Sequence, residues 1–117
     1  MKVLVTGCDG QLGHDLLASA PEDIELIPLN KENLDITDAL AVAGVFEDLD
    51  PDLVINAAAY TKVDLAESEE SAAFTINADG PANIAKSCLV NNSRLLHLST
   101  DYVFDGLANT PYRPDHP

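Results

Sequence analysis

The sequence predicts an α/β fold, a doubly wound parallel sheet of Rossmann type, and three observations carry that prediction. The chain opens on a β-branched run, Lys2–Thr6, that passes through a glycine turn straight into helical spacing. Further short apolar runs at 24–29, 53–56 and 95–98 alternate with stretches of helical periodicity. Each polar or small-residue motif falls at the carboxyl end of one of these runs, the rim where an open parallel sheet holds a ligand.

Gly7, Gly10 and Gly13 follow the first run, and Leu12, Leu16 and Leu17 then take up helical spacing. Gly7 permits a tight turn, Gly10 leaves room for a phosphate to approach the backbone, and Gly13 lets the helix pack closely. The first helical N–H groups and the helix dipole then face an anion. A glycine turn without a ligand would use the same residues; the strand before it and the helix after it favour a pyrophosphate site.

Pro21-Glu22-Asp23 turns the chain into the second strand, which breaks at Asn30-Lys31-Glu32-Asn33. In a dinucleotide fold this strand end meets the adenosine ribose, where an acid selects NAD and a nearby Arg favours NADP. Asn30 beside Lys31 satisfies neither rule, so NADH and NADPH both stay open. Residues 34–38 form a loop, and Asp38 caps a helix over 39–49 that offers Leu40, Val42, Val45, Phe46 and Leu49 to the core.

Asp50-Pro51-Asp52 ends that helix, and Leu53-Val54-Ile55-Asn56 is a third buried strand, extended by Ala57, Ala58 and Ala59. Small residues there suit either tight packing or a flat ring against the backbone. Asp64 and Glu67 have capping-box spacing after the loop that starts at Tyr60. Helical spacing then runs to about Asn91, with Ala73, Ile76, Ala82, Ile84, Ala85 and Cys88 on the apolar side. Gly80-Pro81 inside it predicts a kink or break.

The fourth strand contains His97, expected to be buried and hydrogen-bonded, and ends in Ser99-Thr100-Asp101-Tyr102. His14 is expected to face solvent. Asp101 suits a strand-end cap and a functional rim position equally. Right-handed crossovers give an expected strand order 3-2-1-4. Residues 1–106 make one dinucleotide-binding unit, and 107–117, with three prolines in that stretch, an irregular tail.

At 117 residues the chain is about one domain, and 46% hydrophobic with 22% charged residues is a globular composition. No apolar run reaches a membrane span, and the opening strand stands where a signal peptide would, so no membrane partner and a cytoplasmic location are expected. Cys8 and Cys88, without a CxxC or Cys/His cluster, read most simply as free thiols, with a disulfide the unsupported alternative, and no metal site is indicated. The net charge of −14 argues against a nucleic-acid partner, which requires a basic face. It also suits a high-salt cytoplasm, where self-repulsion is screened. With only 6 Lys and Arg in the chain, a bound phosphate must rest on backbone N–H groups.

These residues resemble the extended short-chain dehydrogenase/reductase superfamily and, within it, the dTDP-4-dehydrorhamnose reductase family. The carriers are Val5-Thr-Gly-Cys-Asp-Gly-Gln-Leu-Gly13, Leu34-Asp-Ile-Thr-Asp38, Asn56-Ala-Ala-Ala-Tyr-Thr-Lys-Val-Asp64 with Ala66-Glu67-Ser68-Glu69, Asn77, and Ser99-Thr-Asp-Tyr-Val-Phe-Asp-Gly106 before Pro111-Tyr112. The glycine motif is common to the superfamily; the Asn56 and Ser99 stretches are specific to the family.

The resemblance implies that Gly10, Gln11 and Leu12 line the pyrophosphate, Asn30 the ribose, and Asp35 and Ile36 the adenine. Ala59, Tyr60 and Thr61 would line the nicotinamide side, with Leu98 beneath it. Thr100 would be the hydroxyl at the substrate's keto oxygen, with Asp101 and Tyr102 at the sugar. The implied reaction carries a hydride from NADH or NADPH to C4 of a dTDP-4-keto-6-deoxy sugar, with the proton supplied by a Tyr-x-x-x-Lys pair.

The sequence departs from that pattern at one point. Four residues after Tyr60, Tyr102 and Tyr112 stand Asp64, Gly106 and His116, so no such pair exists in the chain. The expectation is therefore the amino-terminal, coenzyme-binding half of a longer enzyme, inactive alone, with an uncovered sheet edge that invites a homodimer. A non-catalytic regulatory subunit and a related sugar-nucleotide epimerase or dehydratase are the alternatives; Asp101-Tyr102 speaks against the dehydratase.

Overall fold

The computed structural model describes residues 1–115. Four strands, β1 (Lys2–Thr6), β2 (Glu25–Leu29), β3 (Leu53–Asn56) and β4 (Arg94–His97), form one parallel sheet in the order β2-β1-β3-β4. Parallel neighbours cannot be joined by hairpins, so each connection carries a helix. Helix α1 (Gln11–Ala18) links β1 to β2, and α2 (Ala39–Leu49) links β2 to β3. Between β3 and β4 lie the short α3 (Val63–Ala66) and α4 (Glu70–Phe74), a π-helical turn (Thr75–Asp79) and α5 (Gly80–Asn91).

The Rossmann-type doubly wound sheet is therefore present, but the expected order 3-2-1-4 is not. The third strand in the chain lies beside β1, on the side away from β2. Pro28 explains part of this, because β2 lacks one N–H for a second ladder and is suited to an edge. β1, with Val3, Leu4 and Val5 at 2%, 0% and 0% exposure, suits a position paired on both edges and covered on both faces.

This order reverses the direction of winding. The step from β1 to β2 goes one way across the sheet, and the steps to β3 and β4 go the other. Right-handed crossovers then put α1 on one face and α2 with α5 on the other. α2 and α5 do pack against each other. Their face holds the main core, Leu4, Val54, Val42, Phe46, Ile84 and Cys88, closed at the rim by Leu34 and Ile36.

Asp38 caps α2 as expected, its carboxylate accepting from the N–H groups of Leu40 and Ala41 at 2.9 and 3.1 Å. Leu40 itself is 86% exposed, contrary to expectation, because the buried stripe runs through Val42 and Phe46, and a residue two before Val42 lies far round the helix. On α5 the stripe runs Gly80, Ile84, Ser87 and Cys88, which leaves Ala82 and Ala85 outside. Asp64 and Glu67 form no capping box; α3 starts at Val63, and no side chain caps it.

The break expected at Gly80-Pro81 takes the form of the π-helical turn. Pro81 lies at the start of α5, where its missing N–H costs least, and the wider turn before it absorbs the mismatch. His97 is hydrogen-bonded but exposed, since β4 pairs only with β3. The tail is irregular through Asp115, although the rings of Phe104 and Tyr112 stack at 4.3 Å; His116 and Pro117 lie outside the described residues.

Phe46, 1% exposed at the centre of the α2–sheet interface, carries the largest buried side chain. Phe46→Ala should lower the unfolding free energy by about 3–5 kcal/mol. The check is urea denaturation, with the midpoint falling at an unchanged slope.

Candidate functional site

The reversal of winding between β1 and β3 opens a crevice at their carboxyl ends, as doubly wound sheets do. It has a volume of about 790 Å³ and three walls, formed by the chain leaving β1, β2 and β3.

The first wall is backbone. Gly7 has φ +69°, and a Cβ there would lie 2.6 Å from the Cα and N of Ala58. A Cβ on Gly13 would lie 2.5 Å from the Cα of Cys8 and 2.6 Å from the carbonyl oxygen of Gly7. The turn is thus pressed between α1 and the β3 wall with no room for a side chain at either glycine. Gly10 is the N-cap of α1, and no side chain caps the helix, so its leading N–H groups have no side-chain acceptor and open toward the crevice. The neighbouring Cys8 thiol is pushed up in pKa by partial burial and by Asp9, which leaves it a poor nucleophile.

The second wall follows β2. The Asn30 side-chain oxygen accepts from the N–H groups of Glu32 and Asn33 at 3.1 and 3.0 Å, so it folds its own loop and leaves its amide donors for other partners. Asp35 accepts from the hydroxyl and N–H of Thr37 at 2.7 and 3.0 Å, and these bonds, the hydroxyl first, hold its carboxyl below the usual range. Leu34 and Ile36, each 5% exposed, anchor this loop in the core while also lining the crevice.

The third wall is set by Asn56, 1% exposed. Its side-chain oxygen accepts from the Thr6 hydroxyl at 2.6 Å and the Ala58 N–H at 3.2 Å. Its amide nitrogen lies 3.1 Å from Nδ1 of His97. Thr6, Asn56 and His97 are register partners, so this polar ladder crosses three strands and aims Ala57, Ala58 and Ala59 along the crevice.

Tyr60 is held out of the crevice. Its N–H donates to the side-chain oxygen of Asn77 at 2.8 Å, and its carbonyl accepts from the Asn77 amide at 3.2 Å. Its hydroxyl donates to Glu69, and that carboxylate raises its pKa, the reverse of what a proton donor needs.

The crevice gathers Gly7, Gly10, Gln11, Leu12, Gly13, Asn30, Asp35, Ile36, Ala57, Ala58, Ala59 and Thr61 from the sequence-predicted coenzyme residues. Tyr60 and Leu98 are not among its lining. Nor are Thr100, Asp101 and Tyr102, which are exposed where Thr100 caps the 3₁₀ turn Asp101–Val103. There the Thr100 hydroxyl oxygen accepts from the Tyr102 N–H at 3.3 Å and lies 3.2 Å from the Asp101 carboxylate. His14 is exposed, as expected.

Asp9, Lys31, Leu34, Thr37 and Ile76 also line the crevice and were not predicted as site residues. The Asp-x-Thr spacing could have pointed to Thr37, but Ile76 is placed by the π-helical turn and has no local signal. Among the described residues no His, Cys, Asp and Glu cluster could hold a metal. The arrangement can hold an anion on backbone N–H groups and a flat group against alanines.

Thr37→Val should raise the Asp35 pKa part of the way back toward the usual carboxylate range, read by carboxyl NMR titration. Because the folded value lies below the unfolded one, the stabilisation from Asp35 is present above about pH 4 and lost as pH falls through the folded value.

A family model described as the RmlD substrate binding domain matches residues 1–117. A dTDP-4-dehydrorhamnose reductase of Streptomyces griseus is 44% identical over 115 residues, which is 97% of this chain and 38% of that protein. The crystal structure of a dTDP-4-dehydrorhamnose reductase from Clostridium acetobutylicum has a TM-score of 0.95 at 41% identity, covering 100% of this chain and 42% of that one. The dTDP-4-dehydrorhamnose reductase of Bacillus anthracis, solved in complex with NADP, has a TM-score of 0.87 at 42% identity over 90% of this chain and 38% of its own. The chain thus spans 38–42% of the length of these relatives. Matched along its whole length by the family model and sharing its fold with these reductases, the chain belongs to the RmlD family of dTDP-4-dehydrorhamnose reductases.

Proposed function

We propose that the chain is the coenzyme-binding portion of an NAD(P)H-dependent reductase acting on the 4-keto group of a dTDP-4-dehydro-6-deoxy sugar. The observation that carries this reading is the cradle at Gly7 and Gly13, where an added Cβ would strike backbone, beside the uncapped start of α1. A pyrophosphate fits there, lined by Gly10 and held by the N–H groups of Gln11 and Leu12, the Gly10 N–H being donated to the Gly7 carbonyl. Asn30 would donate to the adenosine ribose, and Asp35 and Ile36 would hold the adenine. Ala57 to Ala59 and Thr61 would flank the nicotinamide. Tyr60 and Leu98 would support that wall from behind.

A bound reduced nicotinamide supplies the hydride. The Thr100 hydroxyl would turn from Asp101 to donate to the substrate's keto oxygen, and Asp101 and Tyr102 would meet the sugar. The chain contains no Tyr-x-x-x-Lys pair, so the proton donor must come from elsewhere. The second reading is a coenzyme-binding regulatory module without turnover.

Two outcomes test the proposal. In calorimetry the 117-residue chain should bind NADH, NADPH or both, and Gly13→Val should weaken binding about tenfold or more, because its side chain would enter the backbone of Cys8. Failure of the wild-type chain to bind either coenzyme rejects the site. A protein carrying this chain together with the remaining length of its relatives should consume coenzyme only when a dTDP-4-keto sugar is added. Binding without consumption supports the regulatory module instead.

A further inference from the structure

The charge of the chain bears directly on the crevice. Asp and Glu number 20 against 6 Lys and Arg, a net charge of −14. The principal extents of the molecule are 44 × 30 × 28 Å. The Debye length is about 30 Å at 0.01 M salt, about 10 Å at 0.1 M and about 3 Å at 1 M. In dilute buffer much of the chain's negative field therefore reaches the crevice; in molar salt almost none does. The charged side chains lining the crevice are Asp9, Lys31 and Asp35, two acids against one base. The phosphate cradle is built from backbone N–H groups, and among the described residues no Arg or second Lys lines it.

A protein that grips phosphates with Lys and Arg loses affinity as salt rises, because counterions compete for the same charges. Here that short-range attraction is nearly missing and the long-range term is repulsive. Salt removes the repulsion, while hydrogen bonds of contact length to backbone amides lie inside any Debye length and persist.

We infer that salt promotes coenzyme association at this crevice, more strongly for the more highly charged 2′-phosphorylated coenzyme, with Lys31 as the single side chain that opposes the repulsion. The inference rests on the dinucleotide reading of the site. Ionic strength then acts as a regulator of the site: NADPH gains on NADH as salt rises.

The test is calorimetry of the 117-residue chain with NADPH, NADH and uncharged adenosine from 0.05 to 1 M KCl, with circular dichroism at each salt so that only folded samples are compared. The dissociation constant should fall about tenfold for NADPH, by less for NADH, and hardly at all for adenosine. Asp9→Asn should flatten the NADPH dependence and Lys31→Gln should steepen it. Coenzyme bound more weakly as salt rises overturns the inference and leaves the coenzyme reading standing. So does an adenosine affinity that climbs in parallel with NADPH, which would mean salting-out rather than screening, or a salt response confined to the range where the chain unfolds. No binding of either coenzyme at any salt overturns both.

Discussion

The crevice exists because the chain leaving β1 and the chain leaving β3 pass each other at backbone distance. Gly7 takes a left-handed turn against the peptide of Ala58, and any side chain there would collide with main chain rather than with something that can move aside. The buried Asn56 amide fixes that approach from below. It spans from the Thr6 hydroxyl to the Ala58 N–H, so the end of one strand sets the direction of the segment that leaves its neighbour. A buried amide satisfied on both sides is strongly favoured over one left unpaired, which makes this ladder a rigid floor.

The walls above that floor divide their work by chemistry. On the β1 side the chain presents N–H groups and almost no side chain, which suits an anion. On the β2 side the Asn30 side-chain oxygen and one carboxylate oxygen of Asp35 accept from their own loop and keep it in one shape. On the β3 side alanines leave a flat surface, while Tyr60, which could have filled it, is clamped back by Asn77 and Glu69. The absence of cationic grips from most of this surface follows from the composition: a chain with so few Lys and Arg has little but its backbone with which to meet phosphate.

The rim beyond β4 is different in kind. Thr100, Asp101 and Tyr102 form a small self-contained turn, and the Phe104–Tyr112 stack, with the Tyr112 hydroxyl donating to Asp105 at 2.9 Å, closes the segment after it. These contacts are local, and the side chains stay largely exposed. The crevice side is built by tertiary packing, whereas this side is held by hydrogen bonds between near neighbours in the chain.

The sequence by itself determined the strand–turn–helix opening, the Asp38 cap, the alternation of strands with helices, and the glycine and alanine positions of the crevice. Those features are written in local chemistry: glycines where a side chain collides, an acid where a helix lacks an acceptor, apolar runs of strand length. Only the tertiary structure decided that β3 lies against β1, that Leu40 and His97 face outward, that Tyr60 turns away, and that Ile76 comes to the crevice through a π-helical turn. Strand order depends on which edges and faces are free once the other elements have packed, and a residue's orientation depends on partners far away in the chain. Asn77 acts on Tyr60 across 17 residues, and Thr6 on Asn56 across 50. No periodicity or motif within a short window records such pairings.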